Sequence, residues 1–166
     1  MALVKSLLKS GILAAMRSVK NNPGPSSAPN MSPAVAREFA NAYHSYAAAA
    51  MAGSTTITVP GQASTLAGSL SAVPLFLGWG PGMLAYWSPI AFGGPGFIPV
   101  NPTVAAAVVG ATAEIALLLP PNSIENRTEE EFAEKLSTVL DKWTKLVMVT
   151  TTTMSVPPIV LVVPVS

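Results

Sequence analysis

The stretch SPAVAREFANAYHSYAAAAMAGSTTITVPG, residues 32–61, decides how this chain is read. Ser32-Pro33 has the chemistry of a helix start. A serine hydroxyl at the N-cap accepts from a first-turn amide, and proline at the next position lacks an N–H that would go unpaired there. Ala36, Phe39, Tyr43, Tyr46 and Ala50 then recur at helical spacing and form one apolar stripe. This predicts a helix ending near Gly53. Ser54 to Val59 is mostly β-branched and is stopped by Pro60-Gly61, which predicts a strand.

The same plan recurs toward the other end. Thr128 with Glu131 three residues on is a capping box, and Glu129, Glu130 and Glu131 suit the positive end of the helix dipole. Phe132, Leu136, Val139, Leu140, Trp143 and Val147 make the apolar stripe, and a threonine-rich run follows. Moved by 97 residues, the first unit lies on the second without a gap: Tyr43 meets Leu140, Met51 meets Met148, and TTITVP at 55–60 meets TTMSVP at 152–157. The expected fold is therefore α+β and mainly helical. It is a compact helical domain with short β-strands and a pseudo-twofold helix–strand duplication, about 32–60 and 128–157. The competing reading is two unrelated helices, each followed by a threonine-rich strand.

Between the units, Ser64 to Val73 predicts a short helix. Asn101-Pro102-Thr103 caps another, running to Leu118 before Pro120-Pro121. Residues 76–100, FLGWGPGMLAYWSPIAFGGPGFIPV, read as a long aromatic loop, and such loops are commonly interfaces. The tail PIVLVVPVS, 158–166, is of strand type and must pair with Thr55–Val59 or with a strand of a neighbour.

Charge distribution narrows the function. Of 166 residues half are apolar and a tenth charged, with net charge +1 and no cysteine. That excludes a disordered chain and a disulfide scaffold. Residues 39–113 hold no Asp, Glu, Lys or Arg, where ordinary usage would place about nineteen. A surface so poor in charge is expected to meet lipid, copies of itself or other proteins. Leu70 to Val100 is apolar but carries prolines at 74, 81, 89, 95 and 99, too many breaks for a spanning helix. Residues 1–20 are basic and amphipathic, with Leu3, Leu7 and Leu8 on the apolar side; Lys5, Lys9 and Arg17 spoil the apolar core of a signal peptide. The predicted organisation is a helical arm (1–20), a flexible linker (21–32) rich in Pro, Gly, Ser and Asn, and a single assembly domain (33–166).

Catalytic signatures are weak. His44 is the only histidine and lies off the aromatic stripe, which reads as a solvent or interface residue. No G-x-S-x-G elbow is present, and the Gly-rich segments 78–82 and 93–96 lack the Lys-Ser/Thr of a phosphate loop. Asn126-Arg127-Thr128 fits a glycosylation acceptor by pattern alone. No enzyme, cofactor or metal is expected, and a nucleic-acid partner is disfavoured, although the five basic residues within 1–37 could touch phosphates.

EFANAYHSYAAAAMAGSTTITVPG at 38–61 and KWTKLVMVTTTTM at 142–154, in a cysteine-free chain rich in Ala, Gly and Thr, resemble the small virion structural proteins of tailed bacteriophages. The resemblance is one of style across most of the chain. It implies a non-enzymatic subunit of a neck, tail, baseplate or capsid, assembled in the host cytoplasm. Its partners would be copies of itself and other virion proteins. The expected interface residues are Leu3, Leu7, Leu8, Trp79, Tyr86, Trp87, Phe92 and Phe97. The alternative is a membrane-associated protein held by residues 1–20 and the apolar middle.

Overall fold

The computed structural model describes residues 3–21, 31–73, 77–118, 128–155 and 157–166. The predicted linker lies almost wholly outside the described residues. Among those described, six helices and six strands alternate in an α+β arrangement. The helices are α1 (Lys5–Asn21), α2 (Pro33–Ala47), α3 (Ala63–Ala72), α4 (Trp79–Trp87), α5 (Ala105–Leu118) and α6 (Glu129–Thr144). The strands are β1 (Met51–Ala52), β2 (Thr55–Val59), β3 (Ala91–Gly94), β4 (Phe97–Val100), β5 (Met148–Thr153) and β6 (Val160–Pro164).

Local chemistry sets the two long amphipathic helices. The Ser32 hydroxyl accepts from the Val35 amide with Pro33 at the first position of α2. Thr128 and Glu131 form a reciprocal capping box on α6, satisfying amides that the first turn leaves unpaired. The apolar stripe of α2 is buried along Ala36, Phe39, Tyr43 and Tyr46, and that of α6 along Phe132, Leu136 and Leu140.

Each helix packs against its neighbour in sequence, and α1 packs against both α2 and α6, so the six helices form a closed cycle. Its centre is filled by Tyr43, Tyr46, Trp79, Tyr86 and Trp87, all inaccessible to solvent. The strands also close on themselves. They are antiparallel in the order β1-β2-β3-β4-β5-β6. The outer edge of β1 then meets the residues that continue β6. Ala52 bridges Val165, and Met51 and Ser166 exchange both amide hydrogen bonds, 3.0 and 2.8 Å. Irregularities in β2 and β3 interrupt the register, a device that bends strands and aids closure. Gly53, with φ +59°, supplies the left-handed residue of the β1–β2 turn.

The tail thus pairs with β5 of its own chain, and not with Thr55–Val59. The aromatic segment 76–100 is more ordered than a loop, with α4, β3 and β4 inside it. Pro81 is the third residue of α4, where its missing N–H is one that has no partner within the helix. The glycines at 80 and 82 let α4 lie close to its neighbours: a Cβ at Gly80 would strike Thr112, and one at Gly82 would come 2.5 Å from Leu66 Cδ1.

Candidate assembly surface

The most continuous uncovered apolar area lies on β4, β5 and β6, whose sequences FIPV, MVTTTT and VLVVP carry no charge. Cross-strand partners point to the same side of a sheet. Ile98 pairs with Thr152 and Thr152 with Val160, so these three form a row, and Thr150 with Val162 forms the next. Ile98, Val160 and Val162 are 46%, 60% and 59% exposed. Leu161 points the other way, paired with buried Thr151, yet is itself 47% exposed. The first half of β6 is therefore uncovered on both faces, while Val163 packs on the core. Met154 and Ile159, also exposed, extend the patch beyond the strand ends.

A second uncharged face is the outer ridge of α5. Ala105, Val109, Ala113 and Leu117 recur every fourth residue, all exposed, Val109 and Leu117 most of all. Glu114, the one charge of α5, is turned aside into an ion pair with Lys142. A helix apolar on nearly every side normally has all of its sides covered.

The charges near the helices are used within the chain. Lys5 and Lys9 both hold the Glu134 carboxylate, at 2.7 and 2.8 Å, and Arg17 reaches Glu130 at 3.0 Å. The Lys5 hydrogen bond, reinforced by Lys9, holds Glu134 well below the usual carboxylate range, at about 2. Lys142 likewise lowers Glu114. Lys145 meets Asp141 at 2.8 Å, and Asp141 also accepts from the Tyr46 hydroxyl at 2.7 Å.

The residues expected at an interface fall mostly inside the chain. Trp79, Tyr86, Trp87 and Phe92 are fully buried in the intramolecular core, which corrects their placement as surface anchors. In a chain this rich in Ala, Gly and Thr, these rings are the largest apolar groups available, and the cycle of helices needs their volume. Trp87 stacks on Phe92 and so links α4 to the sheet. Its indole N–H donates to the Tyr43 hydroxyl at 2.8 Å, and that oxygen lies 2.8 Å from Thr144 Oγ1. Leu3 and Leu8 are buried as well, with Leu8 and Ile12 seating α1 in its own core; the arm packs on its own domain, which corrects their placement too. Leu7 is half exposed and Phe97 half-buried on β4. His44 is half-buried, and its Nδ1 lies 2.9 Å from the Tyr86 hydroxyl oxygen. The β4–β6 patch was missed except for the apolar tail itself. The row across strands depends on register, which one strand's sequence does not contain.

Among the described residues, no three His, Cys, Asp or Glu side chains cluster as a metal site would require, and no helix is long and apolar enough to cross a membrane. No protein family matches the chain, and neither a curated protein nor a solved structure does.

Proposed function

We propose that this chain is a non-enzymatic assembly subunit that meets copies of itself through its uncharged faces. The observation that carries the reading is the exposed patch of Ile98, Val160 and Val162 over two neighbouring cross-strand rows, on strands without a single charge. Monomeric proteins seldom leave such continuous apolar area to water. The net charge of +1 adds no long-range repulsion between copies. The role implied by the resemblance, a virion structural subunit of a tailed phage with other virion proteins as further partners, is the setting proposed for that assembly. The finer architecture is part of the same proposal: a mainly helical domain grown from two related helix–strand halves. Supporting it are the like caps and buried stripes of α2 and α6; the hairpin at Gly53, where the second unit runs straight through β5, is where the halves diverge.

Light scattering on a sizing column in detergent-free buffer tests the proposal. A discrete oligomer is expected. A monomer at every concentration overturns self-assembly, and material soluble only with detergent or lipid favours the membrane-associated alternative, for which Val4, just before α1, and Leu7 on it, each half exposed, would be the contact residues.

A further inference from the structure

β6 is held in an unusual way. Each of its residues has a partner on β5, from Met148–Pro164 to Thr152–Val160, and its continuation at Val165 and Ser166 ties down β1. The side chains of its first half gain little in return, since Val160, Leu161 and Val162 are all about half exposed or more, whereas Val163 packs on the core and Val165 just beyond is buried. That first half is kept in place mainly by backbone hydrogen bonds, and these bind any chain with the same sequence equally well. The edges of β5 and β1 also have a known fit: among the described residues the segment paired with both is VLVVPVS, through 160–164 on β5 and 165–166 on β1. The connection from β5 adds a second observation. Pro157 and Pro158 stand together in it. Each proline fixes its own φ and pushes the residue before it toward extended backbone. A Pro-Pro pair therefore stiffens the connection toward extended backbone, and in the single chain the reversal onto β5 is closed by the Thr153 amide donating to Ile159 O, the Ile159 amide to Thr153 Oγ1 and the Ser155 hydroxyl to Pro157 O.

We propose that β6 is an exchanged strand: in the assembled protein, β6 of one copy pairs with β5 of another, and its Val165–Ser166 with that copy's β1. Exchange of an identical element is a low-cost route to oligomers, because every hydrogen bond of the closed monomer is remade between copies. It also brings two exposed β4–β6 faces into one particle. The inference rests on the assembly reading above and specifies its partner, a second copy of this chain.

The absence of cysteine makes the test clean. The amide of Val165 bonds to Val147 and that of Thr153 to Ile159. Alternation along the ladder then makes Thr150–Val162 a non-hydrogen-bonded pair, the closer kind, with side chains on the outer face. One sample of chain carrying Thr150→Cys is refolded together with chain carrying Val162→Cys and oxidised. A control replaces the second chain with one carrying Ser64→Cys, at an exposed position on α3. Exchange predicts a disulfide-linked dimer joining the two different chains as the dominant product, absent from the control. A second sample carries both β-strand cysteines in one chain. There, exchange predicts linked oligomers on a non-reducing gel, and links confined to single chains overturn it. The mass of that same sample by light scattering separates the two proposals. An oligomer with only intrachain links refutes exchange and leaves assembly standing, whereas a monomer with only intrachain links refutes both. Should the cysteine chains fail to fold, the hinge decides: replacing Pro157 and Pro158 with Gly shifts an exchanged oligomer toward monomer, and an unchanged mass overturns the proposal.

Discussion

Tyr43 is where the helices meet. Its ring packs edge-on against Trp79 and Tyr86, and its hydroxyl joins Trp87 of α4 to Thr144 of α6. Tyr43→Phe would leave the indole N–H of Trp87 buried without an acceptor, at a cost of about 1–3 kcal/mol; urea unfolding should show a lower midpoint with an unchanged slope. All three tyrosines of the chain are buried. Burial pushes Tyr43 up to about 12 and raises Tyr86 and Tyr46 as well, the latter with help from the Asp141 carboxylate. The fold thus favours the neutral phenols, while unfolded tyrosines ionise near pH 10. Their contribution to stability is complete below about pH 10 and is lost as pH rises from there through about 12. Tyrosinate absorbance should therefore appear together with loss of far-ultraviolet ellipticity, and a free titration at ordinary tyrosine pH with the helices intact would contradict this account. The stripe of Phe39, Tyr43 and Tyr46 was legible in the sequence because helical spacing is local. The partners Trp87, Thr144 and Asp141 were not, since they come from helices whose relative placement no local pattern records.

At the scale of elements, five of the six described helices were legible in the sequence and α4 was not. α2 and α6 carry both a capping residue and a single apolar stripe. α4 carries neither, because Gly78, Gly80, Pro81 and Gly82 are loop residues by propensity and are tolerated here by position and close packing. α1 was legible as an amphipathic helix, but its partner was not. Its basic residues read as a surface for lipid or a neighbour, and they meet the acids of α6 instead. Glu134→Gln removes the acceptor shared by Lys5 and Lys9. The melting temperature should fall at low ionic strength, and the gap to the parent chain should shrink toward nothing near 1 M salt, where charges are screened within about 3 Å. In the parent chain Glu134 stays charged down to about pH 2, so this tie is whole above the ordinary carboxylate range and loosens as pH falls below it. A gap that persists at high salt would mean that Glu134 acts by packing.

For the molecule as a whole, closure decides the outcome. Neither the cycle of helices nor the ring of strands follows from any one segment; each is completed by a contact between the two ends of the fold, α1 with α6 and β1 with Val165–Ser166. Removing Val165 and Ser166 should leave the outer edge of β1 bare, which templates pairing with other chains. The shortened protein is expected to aggregate with thioflavin binding at concentrations where the full chain stays clear; a clear solution would show that the edge is guarded by something else. The same closure has a consequence during synthesis on the ribosome. β1 leaves the ribosome 113 residues before Val165, the partner that covers its outer edge. At about 5–20 residues per second that delay is roughly 6 to 20 s. Throughout it the nascent chain displays an open strand, and on a crowded polysome the first β6 to reach that strand can belong to the chain ahead.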